Sequence, residues 1–430
     1  MKICKKIALG LFILLIFSLV ACRGRTDTAS GRARSEELRV SWWGAQARHN
    51  ATIEALDKYA EDNTVSFSYE YTSWDSYFEN LATQSVGNNM PDLVQMSMDN
   101  IIQYTQNGLI IDMSPYIADG TIQTNGVDSG NLDAGKVDGK LTGYITGVNS
   151  ISVFYNKEIF DRAGVAYPSD NWTWSEYLDT ARRIYRATGI QTEIPFLMEC
   201  RWFLEHLVRS YGYNYYDINR WSSDNRVIAG IVKVFGDIQA MIAEGVFVNP
   251  EVQITWAAPN DYYIVQGRSA IHYNLTNAYG NYSNLFGGEL GLAIIPQPDD
   301  AVQTGMYLNA NMYWSISRDS RNPAAVARVL NYLVNNPDGA RVISTDRGIS
   351  INSNIRDMLR AESDIYVANM LSYINTISNL GAVTNLPDPV GSAEAMIVLR
   401  TNYQALVYNE MTPLEFINNY VARARVLINP

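Results

Sequence analysis

The amino-acid sequence predicts an α/β fold built as two lobes joined by a hinge, with a cleft between them. Three observations carry that expectation. The chain has 430 residues, long for a single hydrophobic core. Its first globular stretch alternates β-α-β-α-β-α, the signature of a parallel sheet covered by helices. Residues 139–160, GKLTGYITGVNSISVFYNKEIF, read as an extended segment that breaks at Gly147 and resumes through Ile151, Val153 and Phe154 with no helical period. An isolated glycine in a strand pattern marks a bend or a close backbone approach. This stretch therefore reads as a strand that leaves one sheet and finishes in another.

Taken in order, LRVSWWG at 38–44 is a short strand running into an aromatic loop. Ile53, Leu56, Tyr59 and Ala60 share one face of a helix over 50–62. Val65, Phe67, Tyr69 and Tyr71 alternate with polar residues at the period of a strand. A helix over 74–86 carries Tyr77, Phe78 and Leu81. After the turn-forming run at 87–92, Leu93-Val94-Gln95-Met96 reads as a buried strand, and 99–107 as a helix closed by Gly108. Tyr155-Asn156-Lys157 opens a short amphipathic helix ending at Gly164. From 167 to 282 the pattern is mainly helical. Thr173-Trp174-Ser175-Glu176 is a capping box whose helix ends at Gly189, and helices at 201–211 and 227–244 stop at Gly212 and Gly245. Short strands are expected at 269–273 and 292–295. The C-terminal third is helical again, with Pro413 at a first helical position after Thr412.

Residues 1–21 read as a secretory signal. Lys2, Lys5 and Lys6 form a positive start, and the apolar run at 8–20 is too short to span a membrane. Leu19-Val20-Ala21-Cys22 resembles the bacterial lipobox, which implies a lipidated Cys22 and a mature chain anchored outside the cytoplasm; an ordinary signal with a chance cysteine is the alternative. Residues 22–35 then form a flexible tether without apolar periodicity. Of three cysteines, Cys4 leaves with the signal and Cys22 is the lipid site, so Cys200 has no partner for an intramolecular disulfide. Its apolar neighbours Phe196, Leu197, Trp202 and Phe203 make it a buried small hydrophobe. The net charge of −11, which deepens once the signal lysines and tether arginines are set aside, argues against a nucleic-acid partner.

Several ordered landmarks carry a family resemblance. They are Trp42-Trp43-Gly44; Gly87 with Met90-Pro91-Asp92-Leu93-Val94; Tyr104 with Gly108-Leu109-Ile110; Gly139-Lys140-Leu141 with Tyr144; and Phe154-Tyr155-Asn156-Lys157. Phe160 with Gly164, Trp172-x-Trp174-x-Glu176, Gly267-Arg268-Ser269-Ala270-Ile271 and Trp314-Ser315-Ile316-Ser317 complete the set. Over nearly the whole mature chain they resemble the extracellular solute-binding lipoproteins of carbohydrate ABC importers, the family that includes maltodextrin-binding protein. The resemblance implies a periplasmic-binding-protein-like type II fold whose chain crosses between lobes three times, here near 148–150, 296–302 and 346–351. The lobes are then discontinuous: 36–148 with 300–346, and 149–299 with 347–430. It also implies a monomeric, non-enzymatic receptor without a cofactor, which closes on a carbohydrate and delivers it to the permease subunits of an ABC importer. Two departures stand out. Tyr144-Ile145-Thr146-Gly147 lacks the proline of the usual Tyr-Gly-Ile-Pro, which predicts a looser hinge, and Asn309-Ala310-Asn311 replaces a glycine pair.

Proteins hold sugars by stacking aromatic rings on their C–H faces and by chelating hydroxyls with planar polar groups. Loops at the carboxyl ends of strands are where such groups gather in α/β proteins. Trp42 and Trp43, after the first strand, are expected to supply at least one stacking face. Asp99 and Asn149 match sugar-contacting positions of the resembling family. Trp256, Asn274 and Asn277 are expected in cleft loops of the second lobe, and Asn309 and Asn311 in a loop of the first. Trp74 and Trp314 read as core or rim, Trp172 and Trp174 as packing. His49, His206 and His272 are widely spaced, with no cysteine or carboxylate at metal-ligand spacing, so neither a zinc site nor a Ser-His-Asp triad is indicated. A cation, short peptide or ferric iron in the same fold stays open as a ligand, as does a lipoprotein glycosidase, although no carboxylate pair is picked out.

Overall fold

Parallel pairing organises the first sheet in the computed structural model, which describes residues 36–428. The predicted signal, the tether and Cys22 lie outside those residues. β1 (Glu36–Trp43) runs parallel to β2 (Val65–Thr72), with Trp43 opposite Thr72, and β3 (Leu93–Ser97) joins β1 on its other side, with Val40 opposite Leu93. A parallel pair needs a crossover, and the helices Gln46–Asp62 and Trp74–Val86 supply the two crossovers of this set. The first of these helices starts four residues earlier than its apolar period suggested.

A hairpin of β4 (Lys136–Val137) and β5 (Lys140–Leu141) precedes β6 (Tyr144–Asn149) and β7 (Ile151–Tyr155). β7 forms a second, antiparallel sheet between β8 (Ile271–Leu275) and β9 (Gly291–Ala293). The chain then returns through the ten-residue β10 (Tyr307–Ile316), which is antiparallel to β3 and to β6, and the short β11 (Val383–Thr384) pairs with its start. The first sheet is therefore mixed, not purely parallel. Asn309 and Asn311 lie inside β10, so the expectation that they occupy a loop is corrected: ladder pairing to β3 and β6 extends this strand through the stretch that stands where the resembling family has a glycine pair.

Trp174–Thr188, Cys200–Ser210, Asn225–Ala243 and the C-terminal Ser392–Val407 and Pro413–Ile428 are helices that pack together around the second sheet. The Thr173–Glu176 capping box forms in both directions, and Trp172 and Trp174 are buried in its packing. Cys200 is a free, buried thiol, pushed up by burial. No described helix is long and apolar enough to cross a membrane.

The two sheets meet at Ser150. Its hydroxyl donates to the Tyr307 carbonyl at 2.6 Å, toward the first sheet. Its N–H donates to Thr276 Oγ1 at 3.1 Å and its carbonyl accepts from the Thr276 N–H at 2.9 Å, toward the second. Two residues earlier, Val148 and Ile349 exchange both backbone hydrogen bonds, at 2.7 and 2.8 Å. Gly147 lies against that second passage of chain. A Cβ on Gly147 would stand 2.6 Å from the Gly348 carbonyl carbon and 2.8 Å from the Arg347 oxygen. The glycine thus serves a backbone-to-backbone contact, in a crossing packed on both sides. Next to it, the buried Arg347 donates to Thr52 Oγ1 at 2.8 Å and stacks over Trp314, while Arg48 pairs with Asp346 at 2.7 Å. These contacts tie the helix Gln46–Asp62 to the crossing. Residues 300–305, which the sequence reading grouped with the first sheet, are fastened to the helices of the second: Asp300 accepts from the Tyr211 hydroxyl, and Val302 N–H donates to Ser210.

Two outcomes follow from this packing. Gly147→Ala should lower the unfolding free energy by about 1–3 kcal/mol, because its methyl meets backbone that cannot rotate away; an unchanged urea midpoint would show the contact to be slack. His206 sits where the chain turns back toward β10, with Nε2 at 3.1 Å from the Pro296 carbonyl, and burial lowers its pKa to about 4. The unfolded chain binds that proton near pH 6.5 and the folded one does not. This contribution is complete above pH 6.5 and is lost toward pH 4, by up to about 3 kcal/mol. Denaturation of wild type and His206→Gln at pH 7 and pH 4.5 should show a smaller acid loss in the variant.

Candidate functional site

Register places the predicted residues of the first sheet along one edge. β6 lies antiparallel to β10 with Asn149 opposite Asn309, and β10 lies antiparallel to β3 with Met312 opposite Ser97. The carboxyl ends of β1, β3 and β6 and the start of β10 therefore share an edge, which holds Trp43, Asn149 and Asn309. Asp99, in the helix Met98–Gln106, and Asn311, in β10, belong to the same edge by position; their side chains lie outside the described set.

Adjacent strand residues face opposite ways, and the two tryptophans separate accordingly. Trp42 is fully buried. Its Nε1–H donates to His49 Nδ1 at 3.1 Å and its ring packs on Tyr69 and Tyr71. No face is left for a ligand, which corrects the expectation for Trp42. Trp43 keeps a narrow opening, held edge-on against Trp74 at 5.0 Å. Trp74, read as core or rim, is 45% exposed and is the accessible indole of this edge. Asn149 is buried at the crossing with Oδ1 unpartnered among the described residues. Such an acceptor costs about 1–3 kcal/mol unless something donates to it. Asn309 Oδ1 accepts from Asn385 at 2.9 Å, and Asn385 Oδ1 accepts from Arg209 at 2.7 Å.

Across the crossing, Asn274 pairs in register with Ser152, two residues beyond Ser150. It lines a recess of about 80 Å³ walled by Phe196, Trp202, Tyr262, Gln253 and Glu199. Trp202 meets Phe196 edge-on at 5.7 Å, and its carbonyl accepts from the Tyr307 hydroxyl at the start of β10. Phe196 adopts φ +44°, a left-handed conformation that costs a non-glycine residue about 1 kcal/mol or more and tends to cluster at functional sites. Trp256 packs on Tyr262 and Tyr263 behind the wall and is 9% exposed, so it supports the recess more than it faces it. Asn277 is exposed on the turn after β8.

Beneath the recess lies a buried relay. The Glu193 carboxylate accepts from His272 Nδ1 at 2.6 Å, and Asn274 Nδ2 donates to His272 Nε2 at 3.1 Å. Asn274 Oδ1 already accepts from the Leu275 N–H at 2.8 Å, which fixes the amide so that its Nδ2 faces His272. Glu199 stands on the rim at the start of the helix Cys200–Ser210. Burial pushes its carboxyl up, opposed by Arg400 and Arg201. The nearby cations are engaged: Arg201 grips Asp388 through two 2.7 Å bonds, and Arg209 pairs with Glu205 at 2.9 Å. Among the described residues no three His, Cys, Asp or Glu side chains gather to hold a metal ion.

Phe196, Glu199, Trp202, Gln253 and Tyr262 escaped the sequence reading as site residues. Trp202 was taken with the apolar surroundings of Cys200. The available signal was its place in the first turn of a helix that follows a loop of mixed aromatic and polar residues.

The family described as bacterial extracellular solute-binding protein matches residues 54–364, well over half of the chain. A binding protein of Brucella abortus (strain 2308) is 25% identical over 142 residues, 33% of this chain and 34% of that one. The arabinooligosaccharide-binding protein of Bacillus subtilis (strain 168) is 22% identical over 186 residues, 42% of each. The chain thus spans less than half the length of these curated relatives. Solved structures align more fully. An extracellular solute-binding protein of family 1 from Alicyclobacillus acidocaldarius superposes with a TM-score of 0.78 at 21% identity, covering 92% of this chain and 98% of that one. A periplasmic oligogalacturonide-binding protein from Yersinia enterocolitica gives 0.74 at 21% identity, covering 91% and 98%. At that identity the likeness is one of fold. With two sheets bridged at Ser150 and a family match across most of its length, the chain belongs to the bacterial extracellular solute-binding proteins.

Proposed function

We propose that this chain is the receptor of an ABC importer, lipid-anchored at Cys22 outside the cytoplasm, and that it binds a carbohydrate, an oligosaccharide by preference, between two lobes. One observation supports the ligand class above the others: aromatic faces at Phe196, Trp202 and Tyr262 stand around the planar carboxylate of Glu199, beside the crossing between the sheets. That is the pairing a pyranose needs, apolar faces for its C–H surfaces and planar groups for its hydroxyls. The edge carrying Trp43, Trp74, Asn149 and Asn309 forms the opposing wall in this reading, with Asp99 and Asn311 beside it. The arabinooligosaccharide and oligogalacturonide binders among its relatives fit the same ligand class.

The lobes follow the two sheets. The first holds β1 to β6 with β10 and β11, and the second holds β7 to β9 with the helices around them. Ligand bound to both walls stabilises the closed arrangement, and the permease docks that arrangement; ligand acts by its differential affinity for the closed state. ATP hydrolysis belongs to other subunits, and this chain turns over nothing.

Calorimetry of the mature chain against a panel of neutral and acidic oligosaccharides, amino acids, polyamines and ferric citrate should give heat with a glycan. Small-angle scattering should then show compaction with the same glycan. Heat with none of the glycans rejects the carbohydrate reading, and heat with a cation alone replaces it. Trp202→Ala should weaken glycan binding about tenfold through lost stacking. Cys22→Ala should move the protein from the membrane fraction to the soluble extracytoplasmic fraction, and an unchanged distribution would remove the lipid anchor from the account.

A further inference from the structure

Among the amide and imidazole groups of the recess wall the hydrogen-bonding capacity is largely used internally, while the buried Tyr273 hydroxyl has no partner among the described residues. Gln253 spends both ends on one residue: its Oε1 accepts from the Ile194 N–H at 2.7 Å and its Nε2 donates to the Ile194 carbonyl at 3.0 Å. His272 is held between Glu193 and Asn274. Asn274 is held by Leu275 and His272. Glu199 differs. Its Oε1 receives Arg400 at 3.4 Å, and its Oε2 accepts none of the described hydrogen bonds. Its side chain keeps 43% of its surface open.

An ionised carboxylate only accepts hydrogen bonds, with two oxygens to offer. A sugar hydroxyl can donate to it, and a second carboxylate cannot. The cations that would otherwise bind an acidic ligand are taken: Arg201 by Asp388 and Glu205, Arg209 by Glu205 and Asn385, and Arg400 by Glu199 itself. Resting on the carbohydrate reading, we propose that the recess is a subsite for an uncharged sugar residue whose hydroxyls donate to Glu199, and that Glu199 sets selectivity against uronic acids. Phe196, Trp202 and Tyr262 then take the apolar face of that residue, while the relay below keeps Asn274 rigid and withholds it from the ligand.

The test is calorimetry of the mature wild-type chain and of Glu199→Gln. The probes are neutral gluco-, galacto-, xylo- and arabino-trisaccharides, trigalacturonate, and the C6-oxidised form of every hexose member that binds. Wild type should prefer a neutral trisaccharide over its oxidised counterpart by about tenfold or more, a like-charge effect in a partly desolvated site. Glu199→Gln should weaken the neutral sugar about tenfold, through loss of a charge-assisted bond, and should narrow the preference. An unchanged unfolding midpoint in the variant ties the loss to the ligand. Equal wild-type binding of the neutral and oxidised forms, or a variant that keeps the wild-type ratio, overturns the proposal and leaves the carbohydrate reading standing. Binding of no glycan by wild type overturns both.

Discussion

The two sheets of this protein are joined through a short stretch of backbone pairing. Val148 and Ile349 exchange two hydrogen bonds, Gly147 presses on Gly348, and Ser150 is bonded to both sheets at once. Each group there is buried, so each bond not made would leave a desolvated donor or acceptor. The same contact aligns the carboxyl edge of the first sheet with the end of β8.

Around that line the charged groups are arranged in closed sets. Arg201, Glu205, Arg209 and Asp388 neutralise one another and pass through Asn385 to Asn309 in β10. This chain of contacts links the helix Cys200–Ser210 of one unit to a strand of the other. Buried charges need such partners, since breaking one pair leaves an uncompensated ion. The consequence is a floor of fixed polarity between the sheets, beside which the Asn149 side-chain oxygen and the Tyr273 hydroxyl have no partner among the described residues and the Glu199 carboxylate is partly exposed.

Site residues were legible in the sequence to the extent that a strand end marks a place. Strand ends and the crossing could be located along the chain, and the structure brings Trp43, Asn149 and Asn309 to one edge and Asn274, expected in a loop, into β8 on the other side of the crossing. What each side chain does was not legible. Trp42 and Trp43 are neighbours of the same type, and the pleat alone sends one into a packed core beside Tyr69 and Tyr71 and leaves the other a narrow opening. Asn309 and Asn311 were expected in a loop because they stand where the resembling family has a glycine pair, and the ladder of β10 with β3 and β6 places them in a strand. Gly147 read as a bend or a close approach, since a missing Cβ permits both, and the neighbouring Gly348 is what makes it a contact.

Local signals determined the succession of strands and helices, the Thr173 capping box, the glycine stops and the fold class, because period, caps and breakers act within a few residues along the chain. They also marked the crossing, since a strand pattern interrupted by a glycine is itself local. Tertiary structure alone decided that β10 enters the first sheet antiparallel, that residues 300–305 pack on the helices of the second, and that both ends of Gln253 are already satisfied while Glu199 keeps an oxygen free of the described hydrogen bonds. Each of those depends on a partner tens to hundreds of residues away. Whether a polar group is free for a ligand is a property of the partners it has already found, and no window of sequence contains them.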